Sequence, residues 1–81
     1  MSKDKSRNLK HFELYKNLGN NIRIARKKKN LSQESLAFDI NSTRNYIGCI
    51  ERAEKFPSLA FIFDIANALD IPVKDLFDFT F

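Results

Sequence analysis

Cysteine is nearly missing from this 81-residue sequence. With Cys49 alone, no intrachain disulfide can form and no cysteine-rich zinc site can be assembled, which fits a reducing cytoplasm. Histidine is equally scarce: His11 stands without a second histidine or a carboxylate cluster at ligand spacing, so it reads as a surface residue, and no metal or other cofactor is expected. The same scarcity removes a Ser/His/Asp set, and no glycine-rich phosphate loop or paired carboxylates in a cleft appear, so an enzyme is not expected. No small-molecule site is evident. No run approaches the roughly 20 apolar residues of a membrane span, and the polar, basic N-terminus lacks the apolar segment of a signal peptide. The reading is a soluble protein that is not exported.

What is present suits one small folded domain. Hydrophobic residues make up 43% of the chain, more than a disordered segment of this length carries, against 30% charged. The net charge of +4 is unevenly spread. Residues 1–30 hold ten lysines and arginines against Asp4 and Glu13, a net +8, whereas residues 31–57 come to −1 and residues 58–81 to −3. One end of the chain attracts polyanions and the other does not.

Residues 1–10 are polar and charged and read as a flexible basic arm, leaving residues 11–81 as a single domain. Phe12, Leu14, Tyr15, Leu18, Ile22 and Ala25 then recur at spacings of three and four, the signature of one helical face, ending near Asn30. Gly19 interrupts this helix and marks where an N-terminal extension meets the helix proper, since glycine costs about 1 kcal/mol relative to alanine inside a helix. Ser32 caps a short second helix through Leu36, Ala37 and Ile40, which stops at Asn41, a residue that tolerates left-handed backbone. Ser42 and Thr43 offer the cap of a third helix, Arg44 to Arg52, with Ile47 and Ile50 inward and Arg44, Asn45, Gly48 and Cys49 outward. Pro57 and Ser58 open a fourth helix, Pro72 prevents its continuation, and a last turn holds Val73, Leu76 and Phe77. The fold class is therefore all-α: a compact bundle of about five short helices in which the second and third form a helix-turn-helix.

Taken together, Leu31, Ser32, Gln33, Glu34, Ser35, Leu36 and Ala37, then Thr43, Arg44, Asn45, Tyr46 and Ile47, then Ile50, Glu51 and Arg52, then Pro57, Ser58 and Leu59 resemble the Cro/C1-type helix-turn-helix (XRE) family. The resemblance spans about residues 18–77. Within it, residues 43–59 are similar to the small stand-alone controller proteins of restriction-modification systems.

The resemblance implies a lambda repressor-like fold and a homodimeric regulator reading a palindromic operator in double-stranded DNA, its half-sites about 34 Å apart. It implies that Gln33 hydrogen-bonds a phosphate, that Arg44 and Asn45 face base edges, and that Tyr46 touches a phosphate or a thymine methyl. Gly48 and Cys49, on the next turn, would present a shallow surface with weaker readout. Asn41, Ser42, Thr43, Arg52 and Lys55 are candidates for phosphates flanking the groove. Arg26 and Glu51 match the family's structural ion pair. Phe63, Phe77, Phe79 and Phe81 are expected in a C-terminal dimer surface, because an apolar terminus left in water is an aggregation liability.

Three departures from the family pattern bear on packing. Asn41 replaces the turn glycine, Ser42 replaces a small apolar plug, and Ala53 replaces the glycine after the third helix, which suggests that this helix continues or ends without a left-handed cap. Two other functional classes stay open. One is a protein-interaction module, such as an antitoxin or adaptor on the same scaffold; the other is RNA binding through the basic face. Arg26, Lys27, Lys28 and Lys29 serve equally well as a solvated helix end or as phosphate contacts.

Overall fold

The computed structural model describes residues 2–79, with side chains from residue 11. Five helices follow one another: α1 (Ser2–Lys28), α2 (Gln33–Asp39), α3 (Arg44–Glu51), α4 (Leu59–Leu69) and α5 (Val73–Leu76), with no strand among the described residues. This is the all-helical bundle that the hydrophobic spacing anticipates. The backbone of α1 is already helical at residue 2, so residue 10 does not coincide with a helix start. No described helix is long and apolar enough to cross a membrane.

Three short hydroxyl side chains set the helix starts. Ser32, Thr43 and Ser58 sit in extended backbone and accept hydrogen bonds from the amides of Ser35, Tyr46 and Phe61 at 3.0, 3.1 and 3.1 Å. Each satisfies one of the four amides that a helix start leaves unpaired.

The helix ends share one device. Asn30, Asn41, Ala53 and Asp70 have φ of 59°, 58°, 60° and 56°. The next amide reaches back five residues each time: Leu31 to Arg26, Ser42 to Ala37, Glu54 to Cys49 and Ile71 to Ala66, at 3.1, 2.7, 2.7 and 3.1 Å. This closure pairs the last carbonyls of α1, α2, α3 and α4. The expectation for Ala53 is thus corrected. Its left-handed backbone ends α3 without a glycine, and burial of the residue and the short Glu54–Cys49 bond offset a conformational cost of about 1–2 kcal/mol.

The core gathers one stripe from each helix. Ile22, Leu36, Ile47, Ile62, Ile65, Leu69 and Leu76 are fully buried, each contributing about 1.5–3 kcal/mol by leaving water. Asn21 ties the first helix to the last by donating to the Leu76 and Asp78 carbonyls at 3.0 and 3.2 Å. The apolar face of α1 is not buried throughout, because Phe12 and Leu14 remain exposed while Tyr15 lies against Phe56 with ring centroids 4.3 Å apart.

Gly19 requires a second correction: α1 runs through it unbroken. A β-carbon there would sit 2.5 Å from the Ile50 carbonyl oxygen and 2.7 Å from that of Glu51. Glycine lets the α1 backbone rest on the last turn of α3, and what looked like a break in the sequence is a tertiary contact. Gly19→Ala should therefore destabilise the protein by about 1–3 kcal/mol through overpacking, although alanine is the better helix former. Urea unfolding that showed an increase in stability would contradict this contact.

Candidate nucleic-acid interface

Ile47 and Ile50 anchor α3 in the core, which fixes the helix about its own axis and turns Arg44 and Asn45 to solvent. Both belong to its first turn, where the Thr43 cap holds the Tyr46 amide. Gln33, Thr43, Arg44, Asn45, Gly48 and Arg52 line one open depression of about 530 Å³. None of the six is acidic.

A buried network sets how α2 and α3 meet. Arg26 Nε and Nη2 donate to Glu51 Oε2 and Oε1 at 2.7 and 3.0 Å, and the two side chains are only 7% and 3% exposed. The remaining Arg26 nitrogen donates to the Leu31 carbonyl at 2.8 Å, and Gln33 Nε2 donates to Glu51 Oε1 at 3.0 Å. Bidentate geometry with further hydrogen bonds is what a desolvated ion pair needs to offset its dehydration. Gln33 thus spends one amide hydrogen on Glu51 and keeps the other, a positioning role that the sequence did not reveal.

The outward placement of Gly48 and Cys49 is a third correction, since both are buried. Arg52 bends back along α3 so that its Nη1 would lie 3.0 Å from a β-carbon on Gly48, and Gln33 Oε1 lies 3.5 Å from the same point. Cys49 is covered by the guanidinium of Arg52, whose Nη2 is 3.9 Å from the sulfur, and by the turn that brings the Glu54 amide to the Cys49 carbonyl. A buried thiol cannot reach a base edge. Glu54 accepts from Arg52 Nε and Nη2 at 3.0 and 3.2 Å, on side chains that are both 55% exposed. Hydrogen bonding to Arg52 holds the Glu54 carboxyl below its ordinary range, and the reciprocal bond raises the guanidinium.

The other expected contacts are scattered. Tyr46 is half-buried and packs edge-on against Phe61, centroids 5.2 Å apart at 76°. Asn41 lies in a separate depression with Asp39 and Asp64, carboxylates that repel a phosphate. Ser42 is half-buried at the end of α2, with its amide on Ala37. Lys55 is exposed in the turn after α3. Phe63 and Phe77 are exposed, the rings of Phe77 and Phe79 meet at a tilt of 59° with centroids 6.1 Å apart, and Phe81 lies outside the described residues.

A family model described as helix-turn-helix matches residues 22–76. The chain is 49% identical over 53 residues to control protein C.BamHI of Bacillus amyloliquefaciens, a match that covers 65% of each chain, just under two thirds of that relative. It is 41% identical over 59 residues to control protein C.SmaI of Serratia marcescens, covering 73% of this chain and 70% of the other. Among solved structures, it is similar to the restriction-modification controller protein C.AhdI from Aeromonas hydrophila, with a TM-score of 0.80 and 40% identity, over 83% of this chain and 97% of that one.

Removing one partner of the buried pair leaves an uncompensated charge. Arg26→Ala should cost about 3–5 kcal/mol in urea unfolding, while Arg44→Ala, at an exposed position, should stay within about 0.5 kcal/mol of the parent. Equal losses in the two variants would contradict the division between buried scaffold and exposed helix start.

Proposed function

The chain belongs to the helix-turn-helix family, and from that premise we propose that it is a sequence-specific DNA-binding transcriptional regulator controlling restriction-modification genes. One observation carries this reading: Arg44 and Asn45 project from the capped start of α3 into an open polar depression with no carboxylate in its lining. In that position α3 enters a major groove. Arginine suits the O6/N7 edge of guanine and asparagine the N6/N7 edge of adenine, while the second amide hydrogen of Gln33 is available to a phosphate. Residues 1–30, at net +8, supply the long-range attraction to the backbone.

The protein acts as a homodimer in the cytoplasm. Leu59, Phe63 and Phe77 expose apolar surface on α4 and at the end of α5, in the acidic third of the chain, where a second copy meets no phosphate. Two copies of α3 one helical turn apart, about 34 Å, then read a near-palindromic operator.

Selection of binding sites from random DNA, with sedimentation equilibrium of the free protein, tests both halves. Arg44→Ala should cost about 1–3 kcal/mol of specific binding and erase preference at one position of each half-site, whereas Lys55→Ala should weaken all sequences alike. Unchanged base preference in Arg44→Ala, or a monomer at working concentration, would refute the corresponding half.

A further inference from the structure

The geometry points to Arg52 as a second base-reading guanidinium, seated in the slot that Gly48 leaves on α3 and held there by Glu54. This rests on the DNA-reading role proposed above and adds to it a specificity residue with its own positioning group.

Asn45, Gly48 and Arg52 follow at spacings of three and four and share one face of α3 or its immediate end. Side chains on a helix lean toward its N-terminus, so Arg52 reaches back over residue 48 toward Arg44 and Asn45. Glycine gives the guanidinium this seat, since Nη1 lies 3.0 Å from where a β-carbon would be and would have to shift to admit one. The guanidinium consequently lines the same depression as Arg44 and Asn45.

Glu54 decides what this guanidinium can do. Its carboxylate takes the Nε hydrogen and one Nη2 hydrogen, the second Nη2 hydrogen goes to the Cys49 sulfur, and both Nη1 hydrogens are left over. Nη1 thus keeps two donors facing the depression, able to meet the O6 or N7 acceptor of a guanine. A negative charge beside Arg52 also weakens its attraction for phosphate, a sequence-blind term, without disturbing the direction of the remaining N–H groups. A fixed, charge-compensated arginine contributes more to discrimination than to bulk affinity. The low proton affinity of Glu54 keeps this arrangement intact through the neutral range.

Site selection and salt titration on the full chain test the inference with Arg52→Ala, Gly48→Ala and Glu54→Gln. Arg52→Ala and Gly48→Ala should lose preference, about ten- to hundred-fold, at the same base pair of each half-site, distinct from the pair lost in Arg44→Ala. Gly48→Ala should still unfold in one cooperative transition in urea, so that a poorly folded variant does not explain the lost preference. Glu54→Gln should bind non-specific DNA more tightly, with a plot of log K against log salt steeper by about 0.9, as one freed cation implies. Uniform weakening in Arg52→Ala with every preference retained would make Arg52 a phosphate contact and overturn the inference, and unchanged selectivity in Gly48→Ala would do the same. Parent protein that selects no sequence at all would instead refute the regulator reading itself, and this inference with it.

Discussion

Glu51 is the point on which the geometry of the helix-turn-helix depends. Its two carboxylate oxygens accept three hydrogen bonds, two from Arg26 on α1 and one from Gln33 on α2, while its own backbone is the last turn of α3. One nearly buried carboxylate therefore fixes three helices relative to each other. The arrangement tolerates little substitution, because each partner is desolvated and loses its compensation if the others move. It also depends on Gly19, since α1 reaches Glu51 only by lying backbone to backbone against that last turn. The first three helices are joined at one residue.

The sequence disclosed some parts of this and concealed others for definite reasons. Ser32, Thr43 and Ser58 were legible as helix starts because capping is local: a hydroxyl bonds an amide three residues ahead and needs nothing else. The ion pair of Arg26 and Glu51, 25 residues apart, came from family resemblance, as no spacing rule connects two charges on different helices. Gly19 was misread because helix propensity treats glycine as a defect, while here the defect would be a side chain. Cys49 was misplaced because a helical projection counts only the helix itself, and what covers it comes from Arg52 and the turn beyond. The pairing of Arg52 with Glu54 was invisible for a related reason. Residues two apart do not face each other on a helix, and they meet here only because Ala53 reverses the chain.

Charge is unevenly arranged along the chain and between the two depressions. The polyanion-attracting residues lie in the first 30 positions, the depression beside α3 has no acid in its lining, and the depression beside Asn41 is flanked by Asp39 and Asp64. A duplex approaching the latter face meets repulsion before contact. Long-range electrostatics thus disfavours the Asp39/Asp64 face before any contact is made.

The handling of glycine has a consequence of its own. Both glycines lie inside helices, where one admits a neighbouring backbone and the other a guanidinium, and the four left-handed helix ends use asparagine, alanine and aspartate instead. Tolerance to substitution in this molecule should therefore run opposite to the usual expectation. Glycine would be accepted at the chain reversals, where it is absent, and hard to replace within the regular segments, where any other residue would ordinarily be an improvement. A designer who follows propensity tables along this chain would damage the parts that matter most while leaving its flexible allowance unused.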